Sequence, residues 1–335
     1  MKNIKASLLA VFIILGISSY AAETVAPKMQ TVAEHLQNVS VTIRAEGAFS
    51  AGEGSGVIFT RKDSNGHLVN FIWTAAHVID NLRKERKILV NGSPKTLVEF
   101  KDPVVIKEIR QDGRTVGRLQ MDAEVLKYSE SEDGHDLALL RVRKLNFVRD
   151  TVVFYLDKNI PPLGTDLLHV GSLLGQFGAN SMTDGIYSQH GRVIKSLNKR
   201  IFDQTTCVAF PGSSGGGVFL KHEVSIPENP RARYVGMLVR GAGEGFNLIV
   251  PVRRIIDYCE KNKITWALDP SVKMPSEEEI KKMPIENTPK EKEEAKTAEK
   301  ETAKKMFPFK LRVIDLRSKL NGGDEVKTLP FKAIK

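Results

Sequence analysis

The sequence predicts an all-β protein, and three observations carry that expectation. Short apolar runs recur between residues 39 and 250, turn residues separate them, and helical patterning is confined to brief stretches at either end. Thr31-Val32-Ala33-Glu34 reads as a capping box opening a short helix. Val39, Val41 and Ile43 then alternate with Ser40, Thr42 and Arg44, the period of a half-buried strand. Val57–Thr60 and Val69–Trp73 flank Asn65-Gly66, a hairpin signal. Further strands are expected at Ile88–Val90, Val104–Ile109, Glu124–Tyr128, Leu137–Val142, Leu167–Val170 and Gly185–Ile194. The series continues with Cys207–Phe210, Val218–Leu220, Val235–Val239 and Phe246–Val250. Pro251 then precedes a helix expected over Val252–Lys261. Many short strands in succession fit antiparallel barrels or a sandwich.

The two ends read differently. Lys2 and Lys5 precede an apolar run from Leu8 to Ile17, and Ser19-Tyr20-Ala21 places small residues before a cut after Ala21. That is the pattern of a secretory signal peptide over residues 1–21, which implies export to a periplasm or to the outside. The rival, a retained anchor, is disfavoured because Gly16, Ser18 and Ser19 interrupt a run already short for a bilayer, so no stable membrane insertion is expected after removal of the signal. From about Pro270 the composition turns to Glu, Lys, Ala and Thr, which cannot bury a core. The expected organisation is a first β-barrel with its short helix over 22–150, a second with its helix over 151–268, a charged linker over 269–305 and a tail over 306–335.

The net charge is +10 with a pI of about 9.4, but Lys and Arg are spread along the chain and no nucleic-acid motif accompanies them, so nucleic acid is not an expected partner. There is no Cys-x-x-Cys and no His-Glu-x-x-His, so no metal site or cofactor is expected. Cys207 and Cys259 are open to two readings, a disulfide after export or two buried thiols.

Three segments carry chemistry. Trp73-Thr74-Ala75-Ala76-His77-Val78 delivers a histidine at the end of an apolar strand. Gly134-His135-Asp136-Leu137-Ala138-Leu139-Leu140 sets an aspartate at the head of another. Phe210-Pro211-Gly212-Ser213-Ser214-Gly215-Gly216-Gly217 places a serine among glycines. A serine hydroxyl needs a base to take its proton, imidazole titrates near neutrality, and a carboxylate fixes the imidazole tautomer. Glycines let backbone N–H groups face the oxyanion of a tetrahedral intermediate. His135 is a poor rival base for its neighbour Asp136, because adjacent strand residues face opposite ways. The other histidines, His35, His67, His169, His190 and His222, read as surface or strand residues.

The order His, Asp, Ser excludes the nucleophile-elbow hydrolases and the subtilisin type. With Gly54-Ser55-Gly56-Val57-Ile58, Val170-Gly171, Thr183-Asp184-Gly185-Ile186 and Phe246–Pro251, the chain from about Val32 to Lys261 resembles the trypsin-like serine peptidases, in particular the HtrA-like branch. No segment resembles the PDZ domain of many HtrA proteins, and Ser213 stands where Asn or Asp often precedes the nucleophile. The resemblance implies two six-stranded antiparallel β-barrels with the active site in the cleft between them, followed here by a C-terminal helix and a charged tail. It implies His77 as general base, Asp136 as its orienting carboxylate, Ser214 as nucleophile and the N–H groups of Gly212 and Ser214 as oxyanion hole. Polypeptides are the implied substrates and peptide-bond hydrolysis through an acyl-enzyme the implied reaction; the alternative is a protease-fold binding module without turnover.

The resemblance also places the substrate-binding pocket. Val208 and Phe210 should line one wall, and Val239, Arg240 and Gly241 the other. With Val208 six places before Ser214, the pocket floor lacks the carboxylate that an Arg or Lys preference requires, so an apolar side chain is expected. Arg240 is expected to be a solvated edge residue; a preference for Glu or Asp would need a buried base, which Arg240 could supply only if it turned inward.

Overall fold

The computed structural model describes residues 30–90, 93–194, 200–222, 231–241 and 244–286. The expected signal segment, the expected tail and the part of the expected linker beyond Glu286 lie outside the described residues.

The chain opens with α1 (Val32–Asn38). Its Thr31 hydroxyl accepts from Glu34 N at 3.1 Å while Glu34 accepts from Thr31 N at 2.8 Å, the reciprocal bonds of a capping box. Then come β1 (Ser40–Glu46), β2 (Ala51–Lys62), β3 (Leu68–Thr74), β4 (Arg83–Val90), β5 (Ser93–Phe100), β6 (Val104–Gln111), β7 (Arg114–Ser129) and β8 (Leu137–Val142). Strands β1-β2-β3-β8-β7-β6 pair in that order and close into an antiparallel barrel, with β6 returning to β1. The β2–β3 turn uses Gly66 at φ +82°, and Asp63 Oδ1 accepts from Asn65 N and His67 N at 2.9 and 2.8 Å. Ile43, Ile58, Phe71, Trp73 and Leu139 are fully buried. Strands β4 and β5 form a separate two-stranded hairpin.

The second body contains β9 (Val153–Phe154), β10 (Asp166–Leu173), β11 (Gly178–Ile194), β12 (Arg200–Thr205), β13 (Gly217–Leu220), β14 (Arg233–Gly241) and β15 (Asn247–Pro251). Its order is β13-β10-β11-β12-β15-β14, with β13 pairing again with β14, so six strands form a ring and β9 adds in parallel beside β14. Helix α2 (Val252–Lys261) buries Ile255, Tyr258 and Cys259.

Three expectations change. Cys207–Phe210 is not a strand; the strand lies earlier, at Arg200–Thr205, and buries Asp203, Gln204 and Thr205 alongside Phe202. The charged linker does not begin at residue 269. Ser276 caps a helix α3 (Glu277–Lys282), Ile280 is buried, and Met274, Met283 and Ile285 pack against the core. Arg61 reaches Asp269 O at 3.2 Å and Val272 O at 2.6 Å, and Arg141 bridges Glu124 and Glu277, so the charged residues of this segment find partners on the first barrel. His35, expected as a surface or strand residue, is fully buried in a helix, whereas His169 is a strand residue as expected, in β10, and is also fully buried. Cys207 and Cys259 are free and buried, which answers the open choice in favour of thiols.

Candidate active site

Strand β3 ends at Thr74, and a single 3₁₀ turn, Ala76–Val78, carries His77 just beyond it. Asp136 immediately precedes β8, which pairs with β3 through Trp73↔Leu139 and Thr74↔Ala138. Adjacent strands thus set the histidine and the aspartate side by side. Asp136 has φ +55°, the left-handed region that aspartate tolerates better than most residues. Its Oδ1 and Oδ2 both lie 3.0 Å from His77 Nδ1, and Oδ1 also accepts from His77 N at 3.1 Å. A carboxylate only accepts, so in the neutral imidazole Nδ1 carries the proton and Nε2 the lone pair. Nε2 is buried and has no hydrogen-bond partner among the described residues. Burial pushes the Asp136 carboxyl up. The His77 ring, the bonds from His77 and the Arg240 charge outweigh burial, and the carboxyl stays below its ordinary value.

The serine loop is fixed from the other side. Gly212 and Gly215 have φ +93° and +88°, and a Cβ on either would overlap neighbouring backbone, Ser172 O in one case and Ser55 O in the other. Gly215 N donates to Leu238 O at 2.8 Å and Gly216 N to Ser213 O at 3.0 Å. Leu174 N donates to Pro211 O at 2.7 Å. In a trans peptide C=O and N–H point oppositely, so pinning Pro211 O turns Gly212 N–H away from Leu174, and pinning Ser213 O turns Ser214 N–H away from Gly216. Ser214 is buried, and its Oγ donates to Val239 O at 3.4 Å; no hydrogen bond joins it to His77 Nε2.

The sequence reading gave no role to the residue that ties the two barrels together here. Ser55, in β2, donates from N to Ser214 O and from Oγ to Gly212 O, each at 2.7 Å. The same Oγ accepts from Ser172 N at 2.7 Å, and Thr74 Oγ1 donates to Ser55 O at 2.7 Å. Gly54-Ser55-Gly56 was visible as a motif; the targets of its hydroxyl, more than a hundred residues away, were not.

Of the expected pocket residues, Val208 and Phe210 are 37% and 45% exposed. Thr183 Oγ1 donates to Val208 O at 2.8 Å and Asn247 Nδ2 to Cys207 O at 2.7 Å, which holds this wall in place. Val239 is buried and Gly241 half-buried. Arg240 departs from expectation: it is only 8% exposed, so it is not a solvated edge residue.

With this fold and geometry, the chain belongs to the trypsin-like peptidase domain family, whose model matches residues 54–224. A search of curated proteins finds no match. Among solved structures, the serine endoprotease from Yersinia pestis is similar at 20% identity and a TM-score of 0.46, over 70% of this chain and 67% of that one. The HtrA-type protease AlgW with a tripeptide is similar at 18% identity and a TM-score of 0.45, over 69% and 63%. Deg5 is similar at 18% identity and a TM-score of 0.45, over 71% and 94%.

Proposed function

We propose that this chain is an exported serine endopeptidase that works through His77, Asp136 and Ser214. The observation that carries the proposal is the His77–Asp136 pair, in which Asp136 holds Nδ1 and Nε2 is left without a partner among the described residues. The mechanism requires a turn about the Ser214 side chain that carries Oγ from Val239 O to His77 Nε2, and apo sites of this kind commonly tighten only with substrate bound. Ser214 Oγ then attacks the peptide carbonyl while His77 takes its proton. His77 returns that proton to the leaving amine, and the acyl-enzyme is hydrolysed by water. The N–H groups of Gly212 and Ser214 are assigned to the oxyanion. The edge of β14 away from β15 pairs with no described strand at Val239–Gly241 and fits an extended peptide strand.

A fluorophosphonate probe tests this reading. Labelling of the full chain that disappears in Ser214→Ala is the expected result, together with loss of casein hydrolysis. The second reading, a protease-fold binding module without turnover, is favoured by one observation, the Ser214 Oγ bond to Val239 O; an unlabelled, folded wild-type chain would establish it. Export is tested by sequencing the N-terminus of the exported protein, which should begin near Ala22. Among the described residues no helix is long and apolar enough to cross a membrane.

A further inference from the structure

We infer that Arg240 is an acid-recognising subsite, which takes the carboxylate of an Asp or Glu one residue upstream of the residue whose carbonyl is cut. This rests on the peptidase reading of the same cleft. Arg240 is 8% exposed, its Nε is buried without a partner, and no hydrogen bond or ion pair holds its guanidinium among the described residues. Burying an unpaired cation is strongly unfavourable. Three other buried or half-buried arginines have partners for their charge, although the Nε of Arg254, like that of Arg240, makes no hydrogen bond among the described residues. Arg141 is paired with Glu124 and Glu277, Arg253 holds Asp203, and Arg254 donates to Ile201 O and His135 O at 3.1 and 2.7 Å.

The lone guanidinium stands beside the candidate catalytic residues. Its strand neighbour Val239 accepts from Ser214 Oγ, and its charge helps lower the Asp136 carboxyl. Asp136 itself does not satisfy it, because the hydrogen bonds of that carboxylate go to Nδ1 and N of His77. On one edge, β14 pairs with β15 through Arg240↔Leu248 and Gly241↔Asn247. On the other edge the pairing with β13 reaches only Gly217↔Met237 and the bond from Leu238 N to Gly216 O. Among the described residues no strand pairs with that edge from Val239 to Gly241, where Val239 O accepts from Ser214 Oγ. A peptide pairing there alternates its side chains between two faces. One residue enters the uncharged wall at Val208, Ala209 and Phe210. Its upstream neighbour turns to the opposite side, toward His77, Asp136 and Arg240. A carboxylate there meets a planar, partly desolvated guanidinium, the geometry of a two-bond charged pair.

Two measurements on the full-length chain test the subsite. The first uses fluorogenic peptides that share an apolar residue before the cut bond and carry Glu or Gln immediately upstream. The expected ratio of kcat/KM, Glu over Gln, is about tenfold or more in the wild type, near one in Arg240→Gln and partly restored in Arg240→Lys. A role of Arg240 in the fold alone would move both peptides together and leave the ratio unchanged. The second measures binding of the same two sequences, as labelled peptides, to Ser214→Ala by fluorescence anisotropy, which needs no turnover. Tighter binding of the Glu peptide supports the subsite even if the wild type resists the fluorophosphonate probe, in which case only the peptidase reading falls. Equal binding of the two peptides overturns the subsite, and so does a preference for acid in the residue directly before the cut bond.

Discussion

Ser55 concentrates much of this site into one side chain. Its hydroxyl touches Ser172 of the second barrel and Gly212 of the serine loop at once, and its N–H fixes Ser214 O. Ser55→Ala leaves a buried N–H and a buried C=O without that partner, at a cost of about 1–3 kcal/mol. The expected outcome is a lower urea midpoint together with, on the proposed mechanism, a fall in kcat larger than the change in KM, since the proposed oxyanion groups would matter most in the transition state. An unchanged kcat would show that the loop holds its shape without Ser55. At Asp136 the expectation is a different split. Asp136→Asn keeps the space filled but offers His77 Nδ1 a group that can donate, so kcat falls by about 10⁴ if the proposed mechanism holds, while the fold persists. The candidate residues His77, Asp136 and Ser214 were legible in the sequence because each sits at the end or head of an apolar strand with its own local signal. Ser55 was not legible as a participant, and Arg240 was legible as a pocket-wall residue but not as a buried one. A serine between glycines and an arginine near a strand end carry no sign of burial, and only the packing of two barrels buries them.

At the scale of elements, the sequence misled where polar residues are buried and where charged ones dock. Strand β12 was missed because its core face includes Asp203, which is satisfied by Arg253 at 2.5 Å and by the Tyr187 hydroxyl, partners 50 and 16 residues away. Cys207–Phe210 is apolar enough to read as a strand, yet its polar backbone is met by side chains, Thr183 and Asn247, and two of its residues remain open to the cleft. The segment after residue 268 hid a docking helix, since a lone Ile280 among Glu and Lys gives no periodic signal. Its placement yields a prediction. Ile280→Ala should destabilise the fold by about 2–5 kcal/mol, the range for emptying a buried aliphatic site, and a chain cut before Met274 should lose more. Urea unfolding of the two variants checks this. A chain truncated at residue 273 with wild-type stability would mean that α3 rests on the first barrel without supporting it.

Across the whole molecule, the cost of burying histidine sets how the fold responds to acid. His35 lies in α1 with no exposure, 3.9 Å from Asp150; burial first, then the Arg231 charge, push its pKa down to about 4 against the opposing pull of Asp150. His169 lies in β10, equally buried, where its Nδ1 is 3.1 Å from Gly217 O; burial pushes its pKa down to about 4 despite that bond. His135 is lowered in the same direction by burial and by the charges of Arg200, Arg254 and Lys261. The folded-state values lie below the ordinary 6.5, so the unfolded chain binds more protons than the folded one from about pH 6.5 down to about 4. Stability is therefore fully present above pH 6.5 and falls as the pH drops through that window. His35 and His169 each account for a loss of roughly 3 kcal/mol once both states are protonated. The upper part of this window lies above the range in which ordinary carboxylates titrate, so the histidines act first on acidification. Unfolding free energies measured in urea at pH 7, 5.5 and 4.5 should decline steeply. His35→Gln, which cannot take up a proton, should have a shallower decline than the wild type. A wild-type profile that stays flat from pH 7 to 4.5 would mean that these histidines gain access to water, or to an acceptor, on protonation, and that their burial does not govern the acid stability of the fold.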